Sequence, residues 1–104
     1  MPKWLSPVLL RIRELTRQGF VRFTHKANEE LKALGLDQED ALEIVAGLAA
    51  KDFSIRLTSE TTGEWMYVFK PFLGSVSVYV KLVLRTSCVV VSFHEEQSHE
   101  DEHD

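Results

Sequence analysis

The sequence predicts an α+β domain in which N-terminal helices pack on one face of an antiparallel sheet and leave the other face partly open. Two observations support this fold class. Apolar residues recur with a helical period in the first half of the chain and alternate with a period of two in the second half. The 104 residues, of which 44% are hydrophobic, suffice for one modest core. We therefore expect a single domain over residues 1–94.

Three helices are predicted in the first half of the chain. In the first, Ser6 is the expected N-cap and Pro7 the first helical residue. Thr24 is the expected N-cap of the second helix. The third is predicted to begin at a capping box formed by Asp37 and Asp40. Each helix carries an apolar stripe along one side, which predicts that all three pack against the sheet.

Strands are predicted mainly after the helices, although the apolar stretch 20–23 can form a small strand between the first two of them. Alternation places Ile55 with Phe53 on the core face and Arg56 on the opposite, polar face. By the same rule Tyr79 and Lys81 face away from the core. The four main predicted strands cover residues 53–58, 64–70, 75–84 and 88–94.

The formal net charge of −4 is spread unevenly along the chain. Residues 65–93 contain three basic side chains and no acidic one. After His94 the sequence holds six acidic residues and no hydrophobic one, so we expect an acidic, disordered tail over residues 95–104. Local charge determines what binds, and the average charge therefore does not argue against an RNA partner.

Several protein classes are excluded by the sequence. The one cysteine, Cys88, cannot form an internal disulfide, which fits a cytoplasmic protein. No segment has the roughly 20 apolar residues of a transmembrane helix, so no membrane partner is expected. The segment from His99 to His103 matches the zinc-protease pattern H-E-x-x-H, but it lacks a third ligand and apolar residues to hold a helix in place. We therefore predict no metal and no other cofactor.

Seven short motifs, in order and with characteristic gaps, point to a family. They are Leu34-Gly35-Leu36-Asp37, Gly47-Leu48, Asp52-Phe53, Trp65, Val68 with Lys70-Pro71, Tyr79-Val80-Lys81 and Val91-Ser92-Phe93. With these motifs the chain resembles the motility quorum-sensing regulator (MqsR) toxins of bacterial type II toxin–antitoxin systems. The resemblance implies a RelE-like fold and a metal-independent endoribonuclease that cuts mRNA. It also implies a cognate antitoxin with a DNA-binding region, usually encoded by an adjacent gene.

The resemblance carries over to individual positions with some departures. Tyr79 and Lys81 match the Tyr-x-Lys strand of the family, and Lys70 keeps the charge of an arginine but not its bidentate geometry. Met66 stands in place of a glutamine, and His94 in place of a lysine.

One further lysine of the family falls on Ile55 by strict count. Strand parity favours Arg56 instead, because Ile55 is expected to face the core with Phe53.

RNA can be cleaved by its own 2′-hydroxyl when a base, an acid and cations surround the phosphate. Histidine is the side chain best suited to proton transfer near neutral pH, and His94 shares the strand parity of Ser92 opposite core-facing Val91 and Phe93. The predicted catalytic residues are His94 as general acid or base, Arg56 and Lys81 as charge stabilisers, and Tyr79 as the positioning group. The predicted RNA contacts are Lys70, Arg85 and Met66.

Other interpretations of the same residues stay open at this level. An alternating tyrosine and lysine also describe an ordinary solvated sheet face. The chain can instead be a non-catalytic RNA- or DNA-associated regulatory module, or a protein-interaction module whose acidic segments imitate nucleic acid. Trp65, Tyr67 and Phe69 fit either core packing or base stacking.

Overall fold

The computed structural model describes residues 2–96 and confirms the α+β class. The helices are α1 (Leu5–Arg17), α2 (His25–Ala33) and α3 (Gln38–Ala46), followed by a short 3-10 turn at Ala50–Asp52. The strands are β1 (Val21–Phe23), β2 (Phe53–Thr58), β3 (Trp65–Phe69), β4 (Phe72–Leu73), β5 (Val76–Leu84) and β6 (Cys88–Glu95).

The main sheet has the strand order β1-β6-β5-β3-β2, and β4 pairs with β5 beside it. The β2, β3, β5 and β6 neighbours are antiparallel, whereas β1 pairs with β6 in parallel. The sheet is therefore mostly antiparallel, as predicted, with one parallel pair at the β1 edge. The helical connection through α2, α3 and the later strands supplies the long crossover that a parallel pair requires.

The hydrophobic core lies between the three helices and one face of the sheet. Its fully buried members include Ile12 of α1, Val45 of α3, and Phe69, Leu82 and Phe93 of the sheet. We call this the helix-covered face of the sheet. The opposite face, called the open face below, carries the side chains of Tyr79, Lys81, Ser92 and His94.

The caps of α2 and α3 are as predicted, but the start of α1 is not. Thr24 accepts a hydrogen bond from the Ala27 amide, and Asp37 and Asp40 form a reciprocal capping box. The first helix begins at Leu5, and its N-cap position, Trp4, makes no side-chain cap bond. Burial of Leu5 in the core favours this earlier start, and a proline in the first turn is tolerated there because its nitrogen needs no intrahelical acceptor.

Two β-bulges shift the alternation of the strands. In β2 the pairing passes from Phe53–Phe69 to Ile55–Val68, so one residue of β2 is left without a partner. In β6 the pairing passes from Lys81–Ser92 to Leu82–Val90 and leaves Val91 as the extra residue.

The β6 bulge explains a second departure from prediction. Because of it, Val90 and Phe93 both belong to the core, and the expectation that Val91 faces the core with Phe93 is wrong. Ser92 and His94 nevertheless keep the predicted shared face.

Cys88 lies fully buried in β6, where the structure records it as a free thiol. Burial raises the pKa of this thiol to about 12, because the thiolate would lose its hydration. Cys88 is therefore a small core residue and stays protonated at neutral pH.

Within residues 2–96, none of the helices is both long and apolar enough to cross a membrane. In the same part of the chain, no three His, Cys, Asp or Glu side chains are grouped so that they could hold a metal ion. The H-E-x-x-H segment lies outside the described residues, as does most of the predicted acidic tail. The first two residues of that tail are ordered, since Glu95 ends β6 and Glu96 bonds to β5.

Candidate active site

The open face brings the predicted tyrosine and histidine into direct contact. Tyr79 of β5 and His94 of β6 are cross-strand partners. Their rings stack with a centroid distance of 4.8 Å and an interplanar angle of 9°. Stacking fixes both ring planes, so the phenol and the imidazole are held in a defined orientation before any ligand binds.

A hydrogen bond at His94 defines which ring nitrogen is available. The carbonyl oxygen of Glu95 lies 2.9 Å from His94 Nδ1. A carbonyl oxygen can only accept, so we assign the proton of this bond to Nδ1. In the neutral imidazole this leaves the Nε2 lone pair as the proton acceptor, as a general base requires.

The next cross-strand pair places a cation beside the stack. Lys81 lies opposite Ser92, one alternation step from Tyr79 and His94, and all four side chains share the open face. Neighbours of this kind on one face lie within about 8 Å of each other. The predicted grouping of His94, Tyr79 and Lys81 is therefore present in the structure.

A second cation reaches the same place from a helix. Lys26, in the first turn of α2, donates a 2.9 Å hydrogen bond from Nζ to the hydroxyl of buried Ser92. Glu30 holds this lysine through a 3.0 Å ion pair and accepts the Phe93 amide with its other oxygen. Sequence reasoning missed Lys26, because no local pattern relates the first turn of α2 to a strand so distant in the chain.

Arg56 does not belong to this group, and its predicted position is wrong. In β2, Arg56 pairs with Tyr67, and Tyr67 pairs with Leu82 on the helix-covered face. Ile55 pairs with Val68, and Val68 with Lys81, so Ile55 lies on the open face. The bulge after Phe53 causes this reversal, since it inserts one residue into the alternation from which Arg56 was assigned.

Arg56 instead joins the start of α1 to the sheet. Its guanidinium carbon lies 4.1 Å from the ring centroid of Trp4 and 3.6 Å from that of Trp65. Trp4 also packs against Phe53 and Tyr67 at the edge of the core. Trp65 makes a cation–π contact and remains 48% exposed. Tyr67 and Phe69 are buried in the core, as expected if this strand serves core packing and not base stacking.

Replacing Arg56 with alanine is expected to reduce the free energy of unfolding by about 1–2 kcal/mol, because two cation–π contacts are lost. Arg56→Lys should recover part of this, since an ammonium keeps the charge but not the planar stacking. Urea denaturation of both variants measures the effect. The rate of RNA cleavage should fall only in proportion to the fraction of folded protein. A larger loss of cleavage would show that Arg56 takes part in the active site.

Two further apolar side chains, Ile55 of β2 and Met66 of β3, lie on the open face. Ile55 is 48% exposed. Met66 is half-buried and pairs with Leu57, which lies two residues beyond Ile55 along β2. Met66 was predicted as an RNA contact, and its position on this face is compatible with that role. Neither side chain can donate a hydrogen bond or carry charge, so the polar chemistry of the face falls on the residues of β5, β6 and α2.

Lys70 lies next to the site but is bound to the chain itself. Its ammonium forms a 2.8 Å ion pair with Glu96, whose other carboxylate oxygen accepts a 2.8 Å hydrogen bond from the Ser77 hydroxyl. The hydrogen bonds from Lys70 and Ser77 lower the pKa of the Glu96 carboxyl below its usual range.

Arg85 is remote from the stack. It lies six residues beyond Tyr79, which corresponds to about 20 Å along a strand. Its guanidinium makes two hydrogen bonds of 2.7 and 2.8 Å to the carboxylate of Glu64, and these bonds help to lower the pKa of Glu64 to about 2. Arg85 thus pairs with the turn before β3, and its predicted RNA contact is separate from the site around His94.

A sequence comparison identifies the protein family to which this chain belongs. The model of the family described as "Motility quorum-sensing regulator, toxin of MqsA" matches residues 7–95. The chain belongs to the MqsR toxin family. A curated relative, the "mRNA interferase toxin MqsR" of Escherichia coli (strain K12), is 31% identical over 88 residues, which cover 84% of this chain and 90% of the relative.

The strand register refines how the MqsR-family pattern maps onto this chain. Ile55, and not Arg56, shares the open face with Lys81, which supports strict counting for the family lysine after Asp-Phe. On that count, an apolar residue stands here where the family pattern has a cation. Lys26, bonded to Ser92, places an ammonium on the open face from a different element.

Proposed function

We propose that this chain is an endoribonuclease toxin that cleaves mRNA by metal-independent attack of the RNA 2′-hydroxyl on the adjacent phosphate. The observation that carries the proposal is the stacked Tyr79–His94 pair beside Lys81 on the open face. A base with a defined tautomer, a phenol and a cation are the groups that this reaction uses. The name of the E. coli relative, an mRNA interferase toxin, supports the same reaction.

In the proposed mechanism His94 Nε2 takes the proton of the 2′-hydroxyl. The 2′-oxygen attacks phosphorus, and the bond from phosphorus to the 5′-oxygen breaks. The leaving 5′-oxygen takes a proton from water, and His94 returns its own proton to solvent. The products are a 2′,3′-cyclic phosphate and a 5′-hydroxyl.

The other residues of the proposed site stabilise the charge of the transition state and position the phosphate. Lys81 and Lys26 lie on either side of Ser92 and stabilise the negative charge that develops on the phosphate oxygens. The Tyr79 hydroxyl orients the phosphate, and its ring keeps the imidazole in plane. Electrostatic stabilisation by preorganised cations is the larger contribution expected in a site of this kind.

The proposal is tested with purified full-length protein and a long mRNA transcript in buffer containing EDTA. We expect cleavage in EDTA, with 5′-hydroxyl and cyclic-phosphate ends detected by end-labelling and mass spectrometry. A transcript with 2′-O-methyl groups should resist cleavage, because the attacking hydroxyl is blocked. Cleavage that requires added divalent metal, or that leaves 5′-phosphate ends, would contradict the mechanism.

We also propose that the chain is inhibited by a cognate antitoxin with a DNA-binding region, encoded by an adjacent gene. The family description, which names these proteins as toxins of MqsA, supports a partner of this kind. Co-expression with the neighbouring reading frame should relieve growth arrest and yield a complex that co-purifies.

A second candidate function is a non-catalytic RNA-binding regulator on the same fold. Ile55 and Met66 favour it, because both make the open face more apolar than the family pattern does. The same EDTA assay separates the two functions. A regulator would bind the transcript and leave it intact under every condition tested.

A further inference from the structure

The Glu96 carboxylate is held by the kinds of groups that bind phosphate in proteins. Its two carboxylate oxygens accept from different groups, one from the Lys70 ammonium and one from the Ser77 hydroxyl, each at 2.8 Å. The Glu96 amide also donates a 2.8 Å hydrogen bond to the Ser77 carbonyl, which fixes the backbone at this point. An ammonium and a hydroxyl that converge on two anionic oxygens are equally suited to a phosphodiester.

This cluster lies on the same face of the sheet as the proposed active site. Ser77 precedes Tyr79 by two residues on β5. Glu96 follows His94 by two residues, one position past the end of β6, and its amide bonds to the Ser77 carbonyl. Side chains two residues apart on a strand share a face and are separated by about 7 Å. That separation is comparable to one nucleotide step of an extended single strand, so neighbouring phosphates of one RNA can reach both places.

We propose that Lys70 and Ser77 form a second phosphate-binding subsite, one nucleotide step from the Tyr79–His94 stack, and that Glu96 occupies this subsite in the absence of RNA. The inference rests on the proposed function, because the ligand is the RNA that the active site cleaves. Glu96 acts as an internal competitor, and RNA displaces its carboxylate.

The partial exposure of the contact fits a displaceable ligand. The Lys70 and Glu96 side chains are 27% and 26% exposed. Partly exposed ion pairs of this kind are weak, so a nucleic-acid phosphate with further contacts along the sheet can replace the carboxylate.

Binding of a 2′-O-methyl RNA oligonucleotide to the full-length protein tests this subsite without interference from cleavage. Glu96→Gln removes the competing charge and should tighten binding by about two- to fivefold at low salt, equivalent to one exposed ion pair. Glu95→Gln is the matched control, because it removes the same charge from the exposed neighbouring side chain, which is not one of the Lys70, Ser77 and Glu96 groups that form the cluster. Its effect should be clearly smaller.

Lys70 provides a second, independent arm of the test. Lys70→Met should weaken binding and reduce the steepness of the salt dependence by about 0.7, the value for one lost phosphate contact on a single strand. In the Lys70→Met background, Glu96→Gln should tighten binding no more than Glu95→Gln does, because the site for which the Glu96 carboxylate competes is gone. Thermal unfolding of each variant verifies that the fold is retained.

The outcomes separate this inference from the proposed function. If the wild type cleaves RNA but Glu96→Gln binds no better than Glu95→Gln, the subsite is wrong and the proposed function stands. If the Glu96 gain persists without Lys70, the assignment of Lys70 is wrong. If the wild type neither binds nor cleaves RNA, both proposals fail.

Discussion

Replacing His94 with alanine is expected to reduce the rate of RNA cleavage by about 10²- to 10⁴-fold, the usual contribution of a positioned acid–base group. The loss should appear in the rate at saturating RNA, because the proposed role of His94 is to accept the 2′-hydroxyl proton. Binding of a 2′-O-methyl oligonucleotide should change little, since Lys81 and Lys26 remain. Single-turnover cleavage of a labelled transcript, with binding measured in parallel, separates the two quantities.

Two variants sharpen this test. His25→Ala removes an exposed histidine at the start of α2 and should cleave at the wild-type rate. His94→Lys supplies the side chain that the family pattern has at this position, but an ammonium cannot accept a proton near pH 7. It should therefore cleave more slowly than the wild type at that pH. Wild-type cleavage by His94→Ala would show that the imidazole takes no part in the reaction.

Replacing Phe69 with alanine is expected to lower the free energy of unfolding by about 3–5 kcal/mol. The ring is fully buried in β3, packs edge-on against Phe53 with centroids 5.8 Å apart, and lies opposite Val80 at the centre of the core. Its removal leaves a cavity between the helices and the sheet. Because the free energy of unfolding of such domains is only about 5–15 kcal/mol, the variant should lose a large part of its stability.

Phe72 offers a matched control for this substitution. It lies three residues further along the chain in β4 and is 72% exposed. Phe72→Ala should change stability by no more than about 0.5 kcal/mol, as exposed substitutions do. Urea denaturation monitored by tryptophan fluorescence reports both values. An equal loss of unfolding free energy in the two variants would show that Phe69 is not a core residue.

Local signals in the sequence predicted the parts of the fold that local chemistry determines. Thr24 and the Asp37–Asp40 pair define helix starts because their side chains bond to amides within three residues. Alternation identified the central strands, and with them the shared face of Tyr79, Lys81 and His94. The earlier start of α1 was missed because it depends on tertiary burial of Leu5.

The wrong assignments of residues to sheet faces have a single physical origin. Alternation assigns faces correctly only while the strand pairing is regular, and each bulge exchanges the two faces beyond it. Arg56 and Ile55 were therefore exchanged, and Val91 was assigned to the core. Lys26 and Glu96 were missed for a different reason: their partners, Ser92 and Lys70, are remote in sequence, and only the folded sheet brings them together.

The parallel pairing of β1 with β6 has a consequence for how the protein is made. Val21 lies beside Cys88, so an early segment of the nascent chain cannot enter the sheet until almost all of the domain has been synthesised. The strand that β1 joins, β6, is the last strand of the domain to be synthesised, and it carries the core residue Phe93 and also His94. Non-local pairing of this kind slows folding to milliseconds or longer. His94, the proposed base, therefore joins Tyr79 on the open face only when β6 completes the sheet.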